Sequence, residues 1–257
     1  MEQITVIKIG GNVIDNAEAL ERFVKAFAAI EGAKILVHGG GKLATRMAER
    51  LEIPVQMIDG RRITDKATLD IVTMVYAGLV NKQLVAALQG AGCNALGLSG
   101  ADGHIVRAHR RAPNPIDYGF VGDIDGVDST LLGTLLEAGI TPVFSAIMYD
   151  GERSLLNCNA DSVAEAIARG AATLAPTDLI FCFEKRGVLR DADDEDSVIA
   201  RITPTSYPPL KADGVVKGGM IPKIENALKA VEAGVRRVCI KHADDLLIEG
   251  GTIITND

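Results

Sequence analysis

Ile4-Thr5-Val6-Ile7-Lys8-Ile9-Gly10-Gly11-Asn12 is the stretch that decides how the rest of the chain is read. Its β-branched run predicts a buried strand. A lysine near the end of that strand, followed by two glycines, points beyond packing. Glycines let backbone N–H groups approach a ligand closely, and a lysine beside them supplies positive charge. The combination suits a phosphate. It also describes a plain strand-to-helix turn with a snorkelling lysine.

The pattern recurs further along. Asp15-Asn16-Ala17-Glu18 starts a helix, with Leu20, Phe23, Val24 and Phe27 at helical spacing and Gly32 as its C-cap. Lys34–His38 reads as a second strand, running into Gly39-Gly40-Gly41 and a helix from Lys42 to Leu51. Two strand–glycine–helix units in succession predict an α/β protein with a mainly parallel sheet. Residues 54–64 are strand or loop. A long helix follows over Asp65–Gln89, with Leu69, Val72, Tyr76, Leu79, Val80 and Leu84 on one face.

Asn94–Leu98 is a short strand. His104–His109 and Tyr118–Ile124 flank a Pro-Asn-Pro turn and predict a β-hairpin excursion that serves as a flap. Asp128–Gly139 reads as helix, Thr141–Met148 as strand, and Asn157–Gly170 as a polar opening into a helix with Val163, Ala164, Ile167 and Ala168 inward. Asp178–Phe183 is a strand, Arg190–Ser197 a solvated charged loop, and Pro222–Gly234 a helix with proline in its first turn. Arg237–Lys241 and Thr252–Thr255 are expected to close the sheet. A soft boundary near residue 175 divides the chain into lobes 1–175 and 176–257 of one continuous sheet.

Composition limits the function. The chain has 257 residues, 47% hydrophobic and 24% charged, enough for a sizeable core. A net charge of −7 argues against a general nucleic-acid binder, which needs a basic face. An acidic small substrate then requires local cations to overcome the global field. Cys93, Cys158, Cys182 and Cys239 form no CxxC pair and read as thiols of a reducing compartment. No apolar run approaches the roughly 18 residues of a membrane span, and the first residues enter a strand at once. A cytoplasmic protein with no membrane partner is expected. The four histidines, His38, His104, His109 and His242, lack metal spacing, so no metal ligand is assigned. No G-x-S-x-G elbow supports serine chemistry.

Three further stretches carry chemistry. Gly39-Gly40-Gly41, between a strand and a helix, forms an anion site from helix N-terminal amides. Gly39–Ala44 also fits G-x-G-x-x-A, with Asp59 near the spacing of a dinucleotide fold, but that reading leaves Lys8 idle. The P-loop spacing G-x-x-x-x-G-K-[ST] is absent here. Asn157-Cys158-Asn159-Ala160-Asp161 supplies three short polar groups where one N-cap would suffice. If that turn is already helical, Asn157 and Asp161 project on one side. Gly218-Gly219-Met220-Ile221-Pro222-Lys223 repeats the opening logic, and a lysine in a first helical turn makes sense when an anion binds there. Arg62 could clamp a carboxylate bidentately.

Together these pieces resemble the amino-acid kinase family, most closely its members that act on N-acylated glutamate in arginine biosynthesis. The matching stretches are KIGGN at Lys8–Asn12, VHGGG at Val37–Gly41, GRRIT at Gly60–Thr64 and LSGADG at Leu98–Gly103. YGFVGDI at Tyr118–Ile124, NCNAD at Asn157–Asp161 and GGMIPK at Gly218–Lys223 complete the set, in order over nearly the whole chain. The resemblance implies a three-layer αβα sandwich with an acyl-amino-acid lobe and a nucleotide lobe. It implies transfer of the γ-phosphoryl of ATP to the side-chain carboxylate of N-acetyl-L-glutamate, with Mg²⁺ arriving on the ATP.

It also implies roles. Lys8 and Lys223 flank the transferring phosphoryl, and Asp161 holds both. Gly40 and Gly41, with Gly10 and Gly11, present N–H groups to the carboxylate and phosphates. Arg62 and Asn157 grip the amino-acid end, and Lys217, Gly218 and Gly219 join Gly10 and Gly11 on the nucleotide.

The chain departs from the family pattern in three places. Phe183-Glu184-Lys185 replaces a Thr-Asp-Val-like turn, Lys241–Gly251 is short, and no helix precedes the first strand. The last departure leads to the expectation of a homodimer insensitive to arginine. Arg61, a second cation beside Arg62, raises N-succinyl-L-glutamate as an alternative substrate. The rivals are another kinase of the family (carbamate, glutamate, aspartate or UMP), an NAD-dependent oxidoreductase built on Gly39–Ala44, and a silent nitrogen sensor.

Overall fold

The computed structural model describes residues 1–58, 60–191 and 193–256. β1 (Ile4–Ile9) leads into a one-turn helix, α1 (Gly11–Ile14), and then α2 (Ala17–Ala28). Asn16 accepts the Ala19 N–H at 3.0 Å, a cap of the kind that contributes about 1 kcal/mol. The C-cap of α2 is Ala29, not Gly32, because the Ala29 N–H closes directly on the Lys25 carbonyl. Gly32 instead takes φ +78° in the bend ahead of β2 (Ala33–His38). The Lys34 ammonium donates to the Ala28 and Ile30 carbonyls at 2.7 and 2.5 Å, so a cation finishes the negative end of α2.

α3 (Gly41–Arg50) is followed by a two-stranded ribbon of β3 (Met57–Ile58) and β4 (Arg61–Arg62). Asp59 lies outside the described residues. The long helix, Lys66–Gly90, consists of α4 (Lys66–Val72), a π-helical stretch (Thr73–Val80) and α5 (Asn81–Gly90). By length and composition it could cross a membrane, yet Leu69, Val72, Tyr76, Val80, Leu84 and Leu88 are buried in the core. Leu79, expected on the same face, is 40% exposed. The π-helical turn is the reason. Buried positions there recur every four residues (72, 76, 80), and the wider turn carries residue 79 outward.

β5 (Ala95–Leu98), β6 (Val106–Arg110), β7 (Gly122–Val127), α6 (Ser129–Glu137), β8 (Thr141–Ser145), β9 (Ile147–Tyr149), β10 (Leu155–Asn157) and α7 (Ala160–Ala172) come next. β11 (Thr177–Phe183), β12 (Arg201–Ile202), α8 (Tyr207–Ala212), α9 (Met220–Glu232), β13 (Arg237–His242) and β14 (Thr252–Ile254) complete the described elements. Eight strands form one sheet in the order β12-β14-β13-β11-β1-β2-β8-β5. Its pairs are parallel except β13 with β14. α7 and α9 pack together on one face, α2 and α5 on the other, giving the expected αβα layering. Phe23, Phe27, Phe144 and Phe181 are fully buried, each removing apolar area that stabilises by about 2–3 kcal/mol.

Three further expectations are corrected. Thr141–Met148 is not one strand: it breaks at Ala146, and β9 leaves the main sheet. The hairpin pairs Val106–Arg110 with Gly122–Val127 and is not a free excursion, because β9 and β10 extend it into a four-stranded sheet ordered β10-β9-β6-β7. β14 does not close the main sheet; the two-residue β12 pairs outside it, too short to show a strand pattern.

Candidate active site

Lys8 lies on β1, the strand flanked by β2 and β11, and faces Val37 and Phe181 across its two ladders. Asp161 lies in the first turn of α7 and Lys223 in that of α9. The three side chains converge. Lys8 Nζ forms an ion pair with Asp161 Oδ1 at 2.6 Å, and Lys223 Nζ donates to Asp161 Oδ2 at 2.6 Å. Burial alone would push the Asp161 carboxyl up, but the two ammonium groups outweigh it and hold Asp161 well below the ordinary carboxylate range. Lys223 also sits 5.9 Å from the rings of Phe181 and Phe183, which wall it on one side.

The cleft next to this pair has a volume of about 270 Å³. Lys8, Gly10, Gly11, Gly40, Gly41, Arg62, Asn157 and Asp161 all line it. α1 and α3 both begin there, at Gly11 and Gly41, with no side chain capping either N-terminus. Their first-turn amides are therefore open to a ligand.

Arg62 is 7% exposed. Its Nη2 donates to the Gly41 carbonyl at 3.0 Å and to Thr45 Oγ1 at 2.8 Å, while Nη1 is buried with no partner. A guanidinium edge buried on the wall of a cleft and left unpaired is costly unless an anion meets it. Asn157 reaches the same cleft but from β10, so the idea that it shares a helical face with Asp161 does not hold. Its Nδ2 donates to Thr64 Oγ1 at 3.0 Å. Asn159 is the cap, accepting the Asp161 and Ser162 N–H groups at 2.8 and 3.3 Å. The three polar groups of NCNAD thus divide into wall, cap and counter-ion. The flap is locked against the wall at Thr64, whose carbonyl accepts the Phe120 N–H at 2.7 Å. Gly119 has φ +73°, and a Cβ there would stand 2.3 Å from the Thr64 carbonyl oxygen, so glycine is required.

Lys217, Gly218 and Gly219 do not line this cleft; they form the turn ahead of α9. The cleft includes residues that the sequence reading missed: Tyr76, Arg111, Asp123, Cys158 and Ser162. Arg111 pairs with Asp123 through two hydrogen bonds, which hold the Asp123 carboxyl below its ordinary value. Tyr76 was read only as part of an apolar face, where its phenol was the unused signal. Lys8, Arg61, Arg62 and Arg111 against Asp123 and Asp161 make the lining cationic within an acidic chain.

The description of the Amino acid kinase family matches residues 3–242. The chain belongs to the amino acid kinase family. It is 51% identical over 248 residues to a Cytophaga hutchinsonii protein named acetylglutamate kinase, covering 96% of this chain and 94% of that one. It is 49% identical over 253 residues to one of the same name from Bacteroides fragilis, covering 98% and 97%. A crystal structure from Streptococcus mutans UA159 superposes with a TM-score of 0.80 at 32% identity, covering 99% of each chain. Two lysines bridged by one carboxylate, near two uncapped helix N-termini, concentrate positive charge and open amides in this part of the molecule.

Proposed function

We propose that the chain transfers the γ-phosphoryl of ATP to the side-chain carboxylate of N-acetyl-L-glutamate, giving an acyl phosphate in arginine biosynthesis. It is a phosphotransferase with a carboxyl acceptor. The observation that carries this reading is the Lys8–Asp161–Lys223 bridge: Lys8 and Asp161 line a cleft that also holds an unpaired Arg62 edge, and Lys223 is tied to the same Asp161 carboxylate from outside that lining. The names of relatives at about half identity over nearly the whole chain supply the substrate.

The carboxylate oxygen attacks the γ-phosphorus while the bond to the β,γ-bridging oxygen breaks and ADP leaves. The acceptor is already an anion, so no general base is needed. Lys8 and Lys223 offset charge on the transferring oxygens, and Asp161 fixes the two ammonium groups that would otherwise repel each other. Amides at Gly10, Gly11, Gly40 and Gly41 align phosphates and carboxylate. Arg62 Nη1 takes the α-carboxylate, and Asn157 orients the acyl-amino end. Catalysis is alignment plus charge stabilisation, with no covalent enzyme intermediate.

The lobe of residues 1–175 would hold the amino acid and that of residues 176–257 the nucleotide, with Lys217, Gly218 and Gly219 at its phosphates. Mg²⁺ would be part of the ATP substrate, carried on phosphate oxygens. The four buried free thiols suit a cytoplasmic enzyme. Edge strand β5 exposes Leu96 and the π-helical stretch exposes Met74 and Leu79, apolar surface that supports a homodimer.

A second reading concerns the acyl group. Arg61 and Arg111 line the same cleft as Arg62, and a second carboxylate, as in N-succinyl-L-glutamate, would have cations to meet. A coupled assay with hydroxylamine trapping over N-acetyl-glutamate, N-succinyl-glutamate, glutamate and aspartate tests both readings in wild type and Arg61→Ala. Turnover confined to acyl-glutamates is expected; under the second reading the kcat/KM ratio of succinyl to acetyl substrate falls in Arg61→Ala. Unchanged preference removes the acyl reading. Turnover of free glutamate or aspartate alone removes the main one.

A further inference from the structure

The long helix turns π-helical over Thr73–Val80, beside the cleft. Such stretches are rare and concentrate at functional positions. What it does here is geometric. Residues five apart on an α-helix point about 140° away from each other. In a π-helix, whose hydrogen bonds span five residues, they swing toward the same face. Tyr76 and Asn81 are five apart, and both reach the His38–Gly41 turn.

Asn81 is 1% exposed. Its Nδ2 donates to His38 Nε2 at 3.0 Å and to the Val143 carbonyl at 2.8 Å. His38 in turn donates from Nδ1 to the Gly39 carbonyl at 2.8 Å, so the tautomer is fixed and the start of the turn is held from behind. Tyr76 presses on the other half. Its Cδ1 lies 2.9 Å from where a Cβ on Gly40 would stand, and its hydroxyl 3.8 Å from the same point on Gly41. The ring lines the cleft next to Arg62. Burial raises the phenol pKa against the pull of Arg62, so the hydroxyl keeps its proton at neutral pH and remains a donor.

We propose that Tyr76 is a substrate-contacting, specificity-determining residue: its hydroxyl donates to the carboxylate that also meets Arg62 Nη1, and the π-helical stretch is what places Tyr76 and Asn81 together on the glycine turn. This rests on the phosphotransfer reading above. The test is Tyr76→Phe, which removes one oxygen and keeps the ring against Gly40. KM for N-acetyl-glutamate should rise about tenfold, as expected for one hydrogen bond to a charged group. KM for ATP should stay unchanged, and kcat within threefold.

The inhibition constant of the N-acyl-4-aminobutanoate analogue, which has no α-carboxylate to meet the hydroxyl, should change less than twofold. An unchanged KM for N-acetyl-glutamate overturns the proposal. So does an equal loss for the analogue without the α-carboxylate, or a parallel fall of kcat and both affinities with a lowered Tm, which would mark a merely structural tyrosine. A wild-type enzyme with no turnover of any acyl-glutamate fails differently, because it removes the parent reading and the proposal with it.

Discussion

Two turns of this chain are made from the same parts, glycines leading into a helix beside a lysine, yet their surroundings differ. Around Gly39-Gly40-Gly41, Tyr76 presses on one side, His38 and Asn81 hold the back, and Arg62 ties down the Gly41 carbonyl. Around Gly218 and Gly219 a Cβ would meet nothing within 4 Å, and Lys217 is exposed. The first turn is preorganised by the fold. The second is open on the glycine side and is held by its own backbone hydrogen bonds, Met220 N–H to the Lys217 carbonyl and Ile221 N–H to the Gly218 carbonyl. On the proposed assignment, a small acceptor that must be aligned would benefit from the rigid turn, whereas the donor would bring three phosphates of its own to the open one.

The contrast can be broken by adding one methyl group on each side. Gly40→Ala forces the Tyr76 ring to move and should lower kcat/KM for the acyl-glutamate by roughly 10- to 100-fold, with stability down about 1–3 kcal/mol. Gly219→Ala has φ −64° and open space, so stability should stay within about 1 kcal/mol and only KM for ATP should rise, a few fold. Steady-state kinetics and urea unfolding of the pair measure this. Equal effects at both sites would erase the distinction.

A smaller effect sharpens it by pH. Burial pushes His38 down to about 4 from an ordinary value near 6.5. The folded state therefore favours neutral imidazole. Its stability contribution is complete above about pH 6.5 and is lost as pH falls toward 4. From pH 7 to 5 the wild type should lose about 2 kcal/mol that His38→Asn does not lose. Identical slopes in urea unfolding of the two proteins would show that the imidazole is not held neutral behind the turn.

Much of this was legible in the residues. Lys8, Gly10, Gly11, Gly40, Gly41, Arg62, Asn157 and Asp161 meet in one cleft because strand ends and helix starts of a parallel sheet share one edge, which the strand–glycine–helix pattern encodes locally. The rest depends on long-range packing. The π-helical stretch leaves no composition mark, so Tyr76 looked like one more apolar position and Leu79 was placed inside. β9, β10 and β12 are two or three residues long, too short for a period to show. Asn157 was read with a helix because α7 starts only three residues later, at Ala160.

The most direct measurement is kcat, by hydroxylamine trapping of the acyl phosphate, for Lys8→Ala and Lys223→Ala separately. Two ammonium groups bridged by Asp161 and facing one phosphoryl predict a loss of at least about 100-fold in each. A loss of about tenfold or less in both would contradict the claim that these two lysines carry the transfer.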